Sequence, residues 1–319
     1  KGLINSYFQN MAHILKNKNL EIHIDLPVEN YKFSRFDWTG KIVEVKFQNI
    51  QLSSIESTNC QNQDHFGKGF YNEFGIDKAL GFEETNIGGW FHKIGVGLLK
   101  KDDNQYLFSK NYDIIPAEFK IISESNRLLI SCKSKASNGY SYLLKKEIEL
   151  HENSFTIKYF LKNTGDKDII TDEYVHNFTA INKDLIGGNY ILKFPFQLKP
   201  KGFTETVNPE QKVDIGQNDI RFNSLPEEQF FFSNLTGSEN VDAQWELINL
   251  ESKIGISETG SFKTNKVNLW GTKHVVSPEL FFNIFIKSGQ SIEWSREYNV
   301  YKVKTSGNNV YSAYHPSGC

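Results

Sequence analysis

The heptapeptide Asp172-Glu-Tyr-Val-His-Asn-Phe178 sets a histidine at the centre of a β-type run rich in aromatics. Alternate residues of a strand share a face, so Tyr174, His176 and Phe178 point one way and Glu173, Val175 and Asn177 the other. An imidazole between two rings is either a core histidine with satisfied nitrogens or an acid–base group on the floor of a sugar site. Four other segments carry side chains of the kind such a site uses. Tyr31–Gly40 holds Arg35, Asp37 and Trp38: an Arg beside aromatics can fork onto hydroxyls, or simply pair with Asp37 at a strand end. Asp64–Ile76 offers Asp64, His65, Asn72 and Glu73 among three glycines that let backbone approach a ligand. Its Gly-Lys-Gly lacks the spacing of a phosphate loop. Gly88–Gly97 adds Trp90, His92 and Lys93, for which a surface turn is the plainer reading. Trp270, His274 and Glu279 precede the apolar run Leu280–Ile286. Partial desolvation there raises a carboxylate toward the range of a general base, while a surface Glu at a strand start is the plainer reading.

These segments must be held by strands. Leu20, Ile22, Ile24 and Leu26 alternate with polar residues, as do Val43, Val45 and Phe47; Phe155, Ile157, Tyr159 and Leu161; and Tyr190, Leu192, Phe194 and Phe196. Polar turns at 163–168, 186–189 and 287–290 separate the runs. The pattern predicts an all-β chain, one large antiparallel β-sandwich over residues 19–303. Leu20, Ile22 and Ile24 are expected inside, and Glu21, His23 and Asp25 more exposed. Residues 1–18 carry Leu3, Tyr7, Met11 and Ile14 at helical spacing, which predicts a short N-terminal amphipathic helix. Residues 304–319 are polar and aperiodic and read as a tail.

Composition narrows the class. The 319 residues include 39% hydrophobic and 23% charged, as in globular proteins, and the net charge of −2 gives no reason to expect nucleic acid as a partner. No run of about 18 apolar residues appears, so no membrane span is expected. The N-terminal stripe lacks a continuous apolar core of the signal-peptide kind, which leads to a cytoplasmic expectation. The aromatics stand out, with 25 Phe, 14 Tyr and 5 Trp, and flat rings suit sugars as well as cores. Cys60, Cys132 and Cys319 are scattered, with neither metal spacing nor a disulfide pattern, and read as thiols. No clustered metal-ligand set appears, and neither metal nor cofactor is expected.

The order of these motifs resembles the galactose mutarotase-like superfamily, which includes aldose 1-epimerases and hexose-6-phosphate epimerases. The Arg of "SRFDWTG", the His-Gly-rich "HFGKGF", the His and following aromatic of "VHNF", and the Glu of "SPELFFNIFIKSGQSIEW" match over about residues 20–303. Phe66 stands where the family has Gly after its first His, and Ser-Gly replaces its Pro-Gly turn. The resemblance implies a cofactor-independent isomerase that interconverts the α and β anomers of a monosaccharide. Glu279 is then the base, His176 the acid and His65 a second sugar-binding His, while Arg35 holds a hydroxyl. Glu73, His92, Lys93, Tyr174, Trp270 and His274 complete the expected sugar contacts. Lys68, Lys93 and Lys273 are candidates for the phosphate of a sugar phosphate. Two other functions fit the same scaffold: a non-catalytic sugar-binding protein, and a glycoside hydrolase or polysaccharide lyase with Glu73 and Glu279 as its two carboxylates.

Overall fold

The computed structural model describes residues 12–59, 63–306 and 309–311. Among them the regular structure is strand, apart from three single-turn 3₁₀ segments, and all strand pairs are antiparallel. A ten-stranded sheet runs through the long strands Val241–Asn249, Ile254–Thr264, Ser291–Lys302, Ser154–Asn163 and Tyr142–Leu150. A seven-stranded sheet holds Leu20–Asp25, Lys41–Phe47, Phe70–Phe74, Ile169–Asn177 and Phe282–Ile286. The two bury their alternating apolar faces against each other. Phe155, Ile157 and Leu161 of one and Ile22, Ile24 and Phe70 of the other belong to one continuous core. A four-stranded sheet, ordered Glu205–Val207, Phe230–Ser233, Val267–Thr272, Val275–Leu280, packs beside the strand that carries His176.

Three expectations are corrected. His13–Lys16, expected at the end of the N-terminal helix, is a strand paired with Leu20–Asp25. Leu15 is fully buried while Ile14 is 49% exposed, which is the alternation of an edge strand and not a helical stripe. Leu3, Tyr7 and Met11 lie outside the described residues. Leu20, Ile22 and Ile24 are buried as expected, but Asp25 is buried too. The register shifts between His23 and Ile24, and beyond this irregularity Asp25 is paired with the equally buried Lys41. Burial pulls the Lys41 ammonium down to about 8 against the pull of Asp25. In the segment expected to be a tail, Lys304–Ser306 and Asn309–Tyr311 pair as a hairpin. Cys132 is a buried free thiol.

Between the two large sheets lies a buried ion network. Arg296 donates from Nη2 to Glu173 Oε2 at 2.6 Å and from Nη1 to Glu258 Oε1. Trp294 and Asn72 complete Glu173, and Trp245 and Asn177 complete Glu258. Glu173 and Asn177 therefore point into the core, and the other face of the same strand is left for Tyr174 and His176.

Candidate active site

Two strands form the centre of the site. Ile169–Asn177 turns Tyr174 and His176 to one face, and Phe178, just beyond, stacks on the imidazole at 3.9 Å. Val275–Leu280 turns Ser277 and Glu279 to the same place. Ser277 Oγ lies 2.7 Å from His176 Nδ1, and Glu279 Oε1 lies 3.3 Å from Nε2. Alternate residues of one strand thus hold both ring nitrogens. His176 is 3% exposed and Glu279 is 4% exposed. Burial, aided by the nearby Arg35 charge, pushes the imidazole well below its usual range. Burial pushes the Glu279 carboxyl up to about 8, although Arg35 and a hydrogen bond from Asn268 pull it down. Glu279 itself lies within a strand of the four-stranded sheet, not merely ahead of the last strand pair.

These two groups line a pocket of about 670 Å³ with Arg35, Tyr174 and Trp270. The Trp270 ring meets His176 edge-on at 5.3 Å. The Arg35 guanidinium is clasped between the Phe36 and Phe108 rings, at 4.5 and 4.7 Å, and donates to Glu73, Glu56 and the Tyr174 hydroxyl. Five of the ten residues expected from sequence come together here.

The other five do not. Glu73 is buried, and its carboxylate accepts from Arg35 Nε at 2.9 Å, the Tyr174 hydroxyl at 2.6 Å and Lys93 Nζ at 3.3 Å. It faces Arg35 from behind and offers no oxygen to the pocket, so it cannot serve as a hydrolase's second carboxylate beside Glu279. Lys93 spends its charge on Glu73 and donates to the Tyr106 hydroxyl. His92 is sealed against Tyr140 and Tyr142, and burial pushes it down to about 4. His65 leans on Phe33 in an adjoining pocket of about 290 Å³. His274 is held by the Ile55 carbonyl and Thr272 on a third, outer pocket. Polar residues in glycine-rich segments suggested ligand contacts because their spacing does not reveal that Arg35 and Lys93 both pair with Glu73.

Other residues of the site went unread: Ser277 behind the imidazole, and Glu56, Asn268, Lys266, Phe231 and Phe281 in the pocket lining. The alternation of Ser277 with Glu279 is a usable signal, since period two puts both on one face. Glu56 sits in an irregular loop and gives none. Among the described residues no group of three or more His, Cys, Asp or Glu is placed to hold a metal ion, and no helix is long and apolar enough to cross a membrane.

No protein-family model and no curated protein matches the sequence. Solved structures do match. The Slr1438 protein of Synechocystis sp. PCC 6803 aligns with a TM-score of 0.60 at 12% identity, over 94% of this chain and 100% of its own. A galactose mutarotase-like protein from Lactobacillus casei ATCC 334 aligns at 0.56 and 11% identity, over 91% and 100%. The chain has the galactose mutarotase-like fold. An aldose epimerase homologue from C. elegans shares it at a TM-score of 0.51 and 12% identity, covering 92% of this chain and 100% of that one. At such identities the likeness carries the mutarotase-like architecture, and the chemistry must be argued from the side chains.

Proposed function

We propose that this protein interconverts the α and β anomers of a reducing sugar, with His176 and Glu279 acting as a one-proton couple. The observation that carries this reading is the contact between Nε2 and Oε1, buried on the floor of a pocket roomy enough for a sugar ring. Opening the ring requires a proton to leave the C1 hydroxyl while another reaches the ring oxygen. Both oxygens are bonded to the same carbon, so one donor and one acceptor side by side can serve them together. The adjacent placement of His176 and Glu279 suits these two geminal oxygens.

The protonation state follows from burial. With the carboxyl raised to about 8 and the imidazole lowered, the free pair near pH 7 is neutral acid and neutral base. Nδ1–H then donates to Ser277 Oγ, which leaves the Nε2 lone pair free to accept. Glu279 passes its proton to the ring oxygen, and His176 takes the proton of the C1 hydroxyl. The roles are the reverse of those the family resemblance implies. Ring opening gives an aldehyde and leaves a carboxylate beside an imidazolium. The C1–C2 bond rotates, and closure on the other face returns both protons. Arg35 supports the transient carboxylate. Glu56, Asp77 and Glu205 outnumber Arg35 and Lys266 around the pocket, which favours an uncharged sugar over a sugar phosphate. Of the lysines expected at a phosphate, Lys93 is paired with Glu73 and Lys273 with Glu227, and neither lines this pocket.

Magnetisation exchange by NMR between anomers of glucose, galactose and their 6-phosphates tests the reading. Catalysed exchange of a free sugar is expected. Sugar binding without exchange of any of them would make this a binding protein. The pH profile tests the proton order. Above about 8 the pair loses its donor, and below the lowered imidazole range it loses its acceptor. The expected kcat/KM is therefore a plateau through neutrality, falling tenfold per unit beyond about pH 8, with an acid limb below 6.5. Both limbs belong to the pair and not to either residue alone. A rate that holds to pH 9.5 overturns Glu279 as the acid.

A further inference from the structure

The pocket is longer than one sugar. A hexopyranose has the bulk of about six waters, roughly 180 Å³ at ~30 Å³ each, against about 670 Å³ here. Its floor is one face of the four-stranded sheet. Glu279 is paired with Asn268; Phe231 is paired with Trp270 on the next strand; Glu205 on the last is paired with Ser233. Glu279, Asn268, Trp270, Phe231, Ser233 and Glu205 all line the pocket. From Glu279 to Glu205 the floor crosses three strand spacings, about 14 Å. A ring seated over the acid–base couple leaves the outer part of that floor uncovered.

What lies there is suited to a second ring. Phe231 is only half-buried, one strand beyond Trp270, and makes with it an aromatic cross-strand pair. Around it Gln229 and Glu205 are exposed and offer amide and carboxylate groups to hydroxyls. We infer that the site takes the reducing end of a short, uncharged oligosaccharide, with its second ring stacked on Phe231 between Gln229 and Glu205. Which ring sits at Glu279 rests on the epimerase reading: anomer exchange needs a free C1 hydroxyl, so the remaining rings extend from another hydroxyl, along the floor.

Calorimetry tests this with glucose, galactose and xylose set against α- and β-linked trisaccharides of the same three sugars. At least one trisaccharide is expected to bind tenfold or more tightly than its monosaccharide. Phe231→Ala, and independently the exposed Gln229→Ala, should pull that ratio back toward one. If every trisaccharide binds no tighter than its monosaccharide, or none binds, the inference is overturned; so it is if both variants leave the ratio unchanged. NMR exchange, run alongside, separates the two readings. A high ratio without exchange keeps the extended saccharide site and removes the epimerase reading, while exchange with a ratio near one does the reverse.

Discussion

Replacing Glu279 with Gln should slow anomer exchange by about 10²–10⁴-fold and leave sugar affinity nearly unchanged. The amide fills the same space and keeps a carbonyl acceptor, but it can neither give up a proton to the ring oxygen nor take one back on closure. The loss therefore falls on the transition state, where the proton is in flight, and not on the bound sugar. His176→Asn should match it, since Nε2 is the other half of the couple. The double variant should then cost little more than either single one, because two residues that act as a unit are not additive. Ser277→Ala should do less: the imidazole keeps its place between Phe178 and Trp270 and loses only the partner that fixes its tautomer. NMR exchange at saturating sugar measures all four variants. A Glu279→Gln protein that keeps more than about a tenth of the rate, a deficit under ~1.4 kcal/mol, shows that Glu279 is not half of the couple.

The sandwich was legible because its strands are amphipathic one residue at a time. Phe155, Ile157, Tyr159 and Leu161 are buried in the order their spacing dictates. The same rule places Tyr174 and His176 together and turns Glu173 and Asn177 into the core. It failed where a strand departs from strict alternation. Asp25 lies inside opposite the buried Lys41, just past a register irregularity in the partner strand, and no feature of "LEIHID" announces it. It failed also where a pattern is short: four residues, His13–Lys16, fit a helical stripe and a strand equally well. In the site, Tyr174, His176, Trp270 and Glu279 were found on strands and Arg35 in a loop, while Ser277, Asn268 and Phe231 on strands were passed over and two loop residues gave no signal at all. Glu56 and Phe108 reach Arg35 from 21 and 73 positions away in sequence, across turns whose paths period counting does not describe. Glu73 and Lys93 were misread for a different reason. A charged residue in a glycine-rich segment looks functional, yet these two owe their burial to each other and to Arg35.

The strand behind His176 leads to the largest expected effect on stability. Arg296→Met should destabilise the fold by about 3–5 kcal/mol, the range for removing one partner of a buried ion pair. The arginine is wholly buried between Glu173 and Glu258, and without it two carboxylates are left close together in the core with no cation between them. Trp294, Asn72, Trp245 and Asn177 would still donate to them but cannot balance their charge. Arg296→Lys should cost less but still destabilise, because one ammonium cannot fork to both carboxylates. The sign with pH separates charge from lost packing. Once the cation is gone, burial and the Glu258 charge, which already push the Glu173 carboxyl up, meet far less opposition. Its ionisation then penalises the native state as pH rises through that raised range, and protonation relieves it. Urea denaturation should accordingly show the Arg296→Met deficit shrinking from pH 8 to pH 5. A deficit that stays constant over that interval would mean that the arginine acts through its volume alone. Because Glu173 is three residues from His176 on the same strand, the variant should also lose sugar exchange in step with the folded fraction.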